Sequence, residues 1–440
     1  MRREVGGNLT TNPNRRRAPM AVTMRAANHP EFRVAQLPVD FKMIEAKLEE
    51  LYSLSLNALT LVMVLNRWPL TLHSMLTALH PFVDKKVAVV DPRAGLATLG
   101  EDQLAHFDAV ITSRYQNLDD LRNESLALAR QAGGNSWALV VDSDELVEVQ
   151  SLVRLRAASV AAMDTSALLV PVFNYVGYGR WATTYSFRMF RLNEPIEYHH
   201  HIHESISPSL LRHGLHWQYV DAAIQHLDFL EPVSGKRTRY RALLAEAIAK
   251  GRDLAFLKTL YAMECLCSGD DARGVQILDE AIDIAADDTQ NSRFGGRDDF
   301  PISIKAQYLL ERGEFDQAVV LFKHLLEKAE PRVAAEAALG LSNIAWSEGD
   351  HADALNWIDS SLARWKSPEA LMSRAAALAE VGEARLAWQE ISNALWLNPM
   401  AADPRILANP NSESIFRGRS LLHPNYRGLP ALLKTIREKS

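Results

Sequence analysis

Trp137-Ala138-Leu139-Val140-Val141-Asp142-Ser143-Asp144-Glu145 decides how the rest of the chain reads. Its apolar run stops at Asp142, which predicts a short buried strand delivering acidic side chains to its carboxyl end. Open α/β sheets bind ligands at that end. The carboxylates of Asp142, Asp144 and Glu145 repel one another, and a divalent cation relieves that crowding most simply.

The same rhythm precedes this stretch. Leu59–Leu65 (LTLVMVL) reads as a continuous apolar strand, residues 69–79 as a helix, and residues 86–91 (KVAVVD) as a second strand closed by a carboxylate. Strand, helix, strand predicts a parallel crossover. Ala109–Thr112 adds a strand, and residues 118–131 a helix ended by Gly133-Gly134. Further upstream, Phe41, Ile44, Leu48 and Leu51 predict an amphipathic helix over 41–54.

Beyond the acidic stretch, a helix is expected at 147–158, followed by β-favouring runs at 167–173, 185–192, 196–202 and 217–227. They predict a mixed sheet with an antiparallel addition. Gly177-Tyr178-Gly179-Arg180-Trp181 reads as a flexible aromatic loop, either a sugar-stacking surface or an ordinary hairpin tip.

From Arg239 onward the pattern is helical and repeats. Gly269, Gly313, Gly349 and Gly382 sit in turns, each followed five residues later by Gly274, Ala318, Ala354 or Ala387. Seven residues before them stand Ala262, Ala306, Ser342 and Ala375, small residues where paired helices approach closely. The turn glycines are 44, 36 and 33 residues apart, the first interval lengthened by a polar insert at 287–299. This resembles the tetratricopeptide repeat and predicts four helix pairs stacked as a short solenoid.

At 440 residues, 48% hydrophobic and 23% charged, the chain has a globular composition and length for at least two domains. Its net charge of −6 argues against a general nucleic-acid binder. Cys265 and Cys267 would point to different faces of a helix, which speaks against a disulfide or a thiolate metal pair and fits a reducing cytoplasm. No apolar run reaches the roughly 20 residues that span a bilayer, and the N-terminus lacks a signal peptide's apolar core. Residues 1–35 carry seven Arg against two Glu, as either a disordered tail or a phosphate- or membrane-binding arm.

His199-His200-His201-Ile202-His203-Glu204 is a second constellation. On a strand its side chains alternate, so His199, His201 and His203 share a face and a zinc site is one reading.

Five stretches, taken in order, resemble the family 2 glycosyltransferases, in particular the bacterial group with tetratricopeptide repeats after the catalytic domain. They are residues 59–76; residues 86–91; Leu121-Arg122-Asn123 followed by residues 137–145; Arg188-Met189-Phe190-Arg191 followed by His203-Glu204; and Ala223-Ile224-Gln225-His226 followed by Lys236 and Arg239. The resemblance implies a GT-A-like α/β domain over residues 41–235, after a basic tail at 1–40. Helical repeats would follow over 236–402, then an extension at 403–440 with a terminal helix near 429–438.

It implies a nucleotide-sugar donor, Mn2+ or Mg2+, and inversion of the transferred sugar onto a protein, peptide or glycan acceptor. Asp144 would hold the metal, Asp142 would face the ribose or share the metal, and His226 would complete the metal shell or be a core histidine. Asp91 would meet the nucleotide. Arg122 would reach the diphosphate and Asn123 bond the loop after the second strand, or both would be ordinary helix-surface residues. Where the chain departs from the family, Arg93 or Arg67 would meet phosphate instead. His203, Arg188 and Trp181 would face acceptor and sugar. Glu204 would be the general base or an ion pair with Arg188 or Arg191.

Two departures touch the nucleotide contacts. Residues 91–98 lack the family's serine and second aspartate, and Arg67 replaces an acidic residue after Asn66. They motivate a rival expectation, a decayed transferase domain serving as a scaffold for a peptide-binding repeat array.

Overall fold

A computed structural model describes residues 58–94, 100–115, 117–133, 137–161, 164–177, 179–227, 236–251, 254–287, 299–408 and 419–439. The basic tail, the helix expected at 41–54, Gly134, Tyr178, the altered loop at 95–98 and the boundary expected at 235 lie outside them.

The chain first builds a mixed sheet and then a helical region. Strands β1 (Leu59–Leu65), β2 (Lys85–Val90), β3 (Ala109–Thr112) and β4 (Trp137–Val140) are parallel, in the order β3-β2-β1-β4. Every residue of β1 and β4 is buried, which is why these strands read as continuous apolar runs rather than alternating ones. Helix α1 (Leu70–Leu79) starts after Pro69, whose missing N–H costs nothing there, and α2 is a single turn at Glu101–Leu104. Helix α3 (Leu118–Gly133) packs on β1 and β2, burying Leu121, Leu126 and Ala129.

The sheet continues through β5 (Glu145–Val147), helix α4 (Val149–Ala161) and the long hairpin β6 (Ala167–Gly177) and β7 (Arg180–Arg191). β7 joins β4 antiparallel. The run expected at 217–227 is two short strands, β8 (Trp217–Tyr219) and β9 (Ile224–His226), which lie parallel to successive parts of β6. β9 also pairs β5 and sets His226 opposite Glu145.

Residues 196–202 are not a strand. Only an isolated bridge, His199 to Ser205, closes a tight loop in which His200 and His203 have positive φ of 75° and 52°. Ile202 anchors the loop by packing with Leu244 and Leu257, so tertiary burial overrides its β-propensity. Helix α5 (Ser207–Arg212) follows.

Helices α6 (Lys236–Ala249) to α14 (Ala384–Leu397) fill the second half. Four of their pairs are joined by short turns: α7 (Leu254–Cys267) with α8 (Asp271–Asp287), α9 (Asp299–Arg312) with α10 (Phe315–Lys328), α11 (Pro331–Ser347) with α12 (His351–Arg364), and α13 (Pro368–Glu380) with α14. Gly269, Gly313, Gly349 and Gly382 end the leading helices with φ between 76° and 88°, a conformation that favours glycine. Ala262, Ala306, Ser342, Ala375, Ala318, Ala354 and Ala387 are all buried at the helix contacts. Among the described residues no helix is long and apolar enough to cross a membrane.

A short helix α15 (Pro404–Ala408) and α16 (Leu429–Lys439) close the chain. The segment before α16 returns to the β6–β7 hairpin. Arg180 donates to the carbonyls of Leu422 (2.7 Å), His423 (2.9 Å) and Tyr426 (3.1 Å). Phe173, Tyr175 and Trp181 of the hairpin share one apolar core with Leu371, Ile391 and Tyr426.

Candidate active site

The carboxyl ends of β2, β1 and β4 lie side by side and carry most of the polar groups singled out above. β2 ends in Asp91, β1 leads to Asn66 and Arg67, and β4 leads to Asp142, Ser143 and Asp144. The turn after β4 is held by the Glu145 N–H donating to the Asp142 carbonyl, and by the Asp142 N–H donating to Glu145 Oε2 at 2.8 Å.

Each acidic strand end meets arginine. Asp91 accepts from Arg93 Nε and Nη2, the latter at 2.5 Å, and from the Arg93 N–H at 2.9 Å. Burial would raise the Asp91 carboxyl, yet these bonds, with the more distant Arg239, hold it below the usual carboxylate range. Asp144 Oδ2 accepts from Arg67 Nη2 at 3.0 Å, and its Oδ1 lies 3.8 Å from His226 Nε2. The other ring nitrogen of His226 bonds Asn174 Oδ1 at 2.9 Å, and the Asn174 amide is itself fixed by Thr184 and the Val172 carbonyl. That second contact orients the imidazole toward Asp144.

Asp142 is turned the other way. It pairs with Arg122 Nη2 and with Arg188 Nη2 at 3.1 Å. Arg122 comes from the second turn of α3, and its Nε also donates to Glu204 Oε1 at 3.0 Å. Arg188 bonds Glu145 Oε1 at 2.5 Å. The sheet register explains its reach: Leu168 opposes Met189 and Leu169 opposes Phe187, so Arg188 is the extra residue of a β-bulge and is re-aimed at the acidic turn.

Two guanidinia thus face three carboxylates. Burial works against ionised Asp142, but Arg122 and Arg188 outweigh it and hold the carboxyl well below its ordinary value. Burial dominates at Glu145 and pushes it up to about 7, Arg188 only partly compensating. A proton on Glu145 removes the one excess negative charge of the cluster. Because Asp142 keeps 30% of its side-chain surface open, the cost of burying it is only partial.

With this geometry in place, comparisons with known proteins add little. No protein-family model and no curated protein matches the chain. Among solved structures it is similar to S. aureus TarS 1-349 in complex with UDP-GlcNAc, at 12% identity over 70% of this chain and 91% of that one, with a TM-score of 0.27. TarS 1-349 alone and its complex with UDP match over the same shares at 12% and 11% identity, each with a TM-score of 0.26. Likeness of that degree carries no argument for fold or activity.

Asp91, Arg93, Arg122, Asp142, Asp144, Glu204, Arg188 and His226 all lie along this edge of the fold or bond groups that do. Two expectations, for Trp181 and for the partner of Glu204, are corrected, and the places of Arg188 and Asn123 are defined. Trp181 is fully buried against Tyr426 and Phe173, ring centroids 6.2 and 6.3 Å away, and offers no surface to a sugar. Arg188, expected on the acceptor side, is paired with Asp142 and Glu145. Glu204 pairs with Arg122 rather than Arg188 or Arg191. Asn123 clips the backbone of Tyr198 through bonds of 2.9 and 2.7 Å, and most of the loop after β2 lies outside the described residues.

The histidines of the loop diverge. His199 meets Ser209 at 3.2 Å, His201 meets Asp119 at 2.8 Å, and the exposed His203 packs edge-on against Tyr240. No group of three or more His, Cys, Asp or Glu suited to a metal occurs among the described residues. Asn174 is a site residue that sequence reading passed over, and Glu145, read only as one of three crowded carboxylates, bonds Arg188. Glu145 had a signal, its place in the acidic run, whereas Asn174 sits in an apolar strand with none.

Proposed function

We propose that the chain is an inverting glycosyltransferase, metal-dependent, that moves a sugar from a nucleotide donor to a protein, peptide or glycan acceptor. One observation carries the reading: acidic side chains and guanidinia alternate along the carboxyl ends of adjacent parallel strands, a charge pattern suited to a nucleoside diphosphate and its cation. The ordered sequence blocks that resemble family 2 glycosyltransferases support it.

The donor set fits a metal in part. Asp144 and His226 face each other and would hold Mn2+ or Mg2+ together with diphosphate oxygens, whereas Asp142 is committed to Arg122 and Arg188. When bound, the cation supplies charge neutralisation to the departing diphosphate. Asp91 takes the nucleoside side of the donor, and Arg93, exchanging Asp91 for phosphate, binds the diphosphate. Glu204, positioned by Arg122, accepts the proton of the acceptor hydroxyl as it attacks. His203, exposed beside Tyr240, flanks the acceptor path. The helix pairs, read as tetratricopeptide-like repeats, hold part of the acceptor. The free thiols of Cys265 and Cys267 accord with a cytoplasmic setting.

One observation favours a second reading, the non-catalytic scaffold: Arg67 and Arg93 already neutralise Asp144 and Asp91. Calorimetry with a panel of nucleotide sugars, with and without Mn2+, separates the two. A transferase shows metal-dependent heat with at least one donor, and a scaffold shows none.

A further inference from the structure

Where the sheet meets the helical region, a partly open cavity of about 30 Å³ lies away from the acidic strand ends. Its wall is drawn from β7 (Thr183, Tyr185), α11 (Arg332, Glu336), the α12–α13 junction (Ser361, Trp365, Glu369) and the C-terminal segment (Arg419). Successive residues of β7 divide between the two places: Thr184 bonds the Asn174 that orients His226, while Thr183 and Tyr185 line the cavity.

Its two arginines are in different states. Arg332 is satisfied, paired with Glu330 at 2.6 Å and Glu336 at 3.0 Å and lying 4.5 Å over the Tyr185 ring. Arg419 is not. Its guanidinium lies 5.8 Å from the centre of the Phe300 ring and its Nη2 makes one long bond, 3.4 Å, to the Thr183 carbonyl, but its Nε is buried without an acceptor, and no carboxylate lies within ion-pair distance among the described residues. The indole Nε1 of Trp365, the hydroxyl of Ser361 and the carboxyl Oε2 of Glu369, on the same wall, are also buried without partners. Unmet buried donors cost about 1–3 kcal/mol each, more when charged, so a wall that gathers a guanidinium, an indole N–H and a hydroxyl calls for an acceptor.

We propose that this cavity binds a small free carboxylate, with Arg419 as its counter-ion and Trp365 and Ser361 as further donors. The class follows from charge and room. The interior admits only a small group. Glu336 on the facing wall disfavours the double charge of phosphate, and the planar guanidinium edge matches a carboxylate. Glu369 does not oppose the ligand, because burial keeps its own carboxyl protonated up to about pH 7. The site is independent of the glycosyltransferase reading.

The test is the melting temperature of the full chain titrated with acetate, phosphate or chloride at constant ionic strength. Saturating acetate is expected to raise Tm by on the order of 2 °C, phosphate and chloride not to, and Arg419→Gln to lose the response. Equal stabilisation by all three anions, stabilisation by phosphate alone, or an acetate response retained in Arg419→Gln would overturn the proposal. Should Arg419→Gln fail to fold, a crystal of the wild-type protein grown in bromoacetate decides. An anomalous bromine peak beside Arg419 supports the site, and ordered water there overturns it.

Discussion

Arg67 Nη2 stands 3.0 Å from Asp144 Oδ2, so the strand-end carboxylate proposed to hold a metal is held by an arginine from the neighbouring strand end. Both side chains are partly exposed, at 23% and 19%, so the pair contributes only about 0.2–1 kcal/mol. A metal bound through Oδ2 displaces it, and one bound through Oδ1 beside His226 competes with it for the charge of the carboxylate. Arg67→Ala is therefore expected to tighten Mn2+ binding by roughly two- to five-fold, read by electron paramagnetic resonance of the free ion. Unchanged or weaker binding would show that Arg67 does not compete for Asp144.

Arg122 joins Asp142 to Glu204 and is itself almost wholly buried. Its removal leaves carboxylates facing one another in a poorly solvated site. Arg122→Ala should lower unfolding free energy by about 3 kcal/mol in urea titrations, the low end of the range for breaking a buried ion pair, because Asp142 stays partly open. A loss below about 1 kcal/mol would mean that solvent already carries these charges.

Trp181 bears on the hairpin. As a fully buried ring between Phe173 and Tyr426, its replacement by alanine should cost about 3–5 kcal/mol of stability. A surface, sugar-facing tryptophan would cost little, so a variant with unchanged Tm would restore the expectation corrected above.

The same residue shows where sequence reading runs out. β1 was legible to the residue because a central parallel strand buried on both faces leaves an unbroken apolar run, and the turn glycines were legible because positive φ favours glycine. The acidic strand ends were legible for the same local reason. The burial of Trp181 depends on a segment about 240 residues downstream returning to the hairpin, and no local pattern encodes that. Arg188 reaches Asp142 through a bulge, which period-two reading misplaces. Residues 196–202 have the composition of a strand, but burial of Ile202 against α6 and α7 bends them into a loop.

Glu148 and Glu369 are each pushed up from 4.5 to about 7, burial being the largest cause. Their folded forms hold protons that the unfolded chain releases near 4.5, so the stability they contribute is complete below that value and is lost as pH rises through about 7. Glu369→Gln fixes the neutral form. Its Tm should fall less steeply than that of the wild type between about pH 5 and pH 8. Parallel curves would contradict the burial effect.

The most direct measurement is release of nucleoside diphosphate across a panel of nucleotide-sugar donors, with Mn2+ and with chelator, for the wild type and for Asp144→Ala. The proposed function predicts release from at least one donor in wild type that requires Mn2+ and drops at least about a hundred-fold in Asp144→Ala, the loss expected for a group acting on developing charge. Equal turnover by the two proteins, or none from any donor, would contradict it.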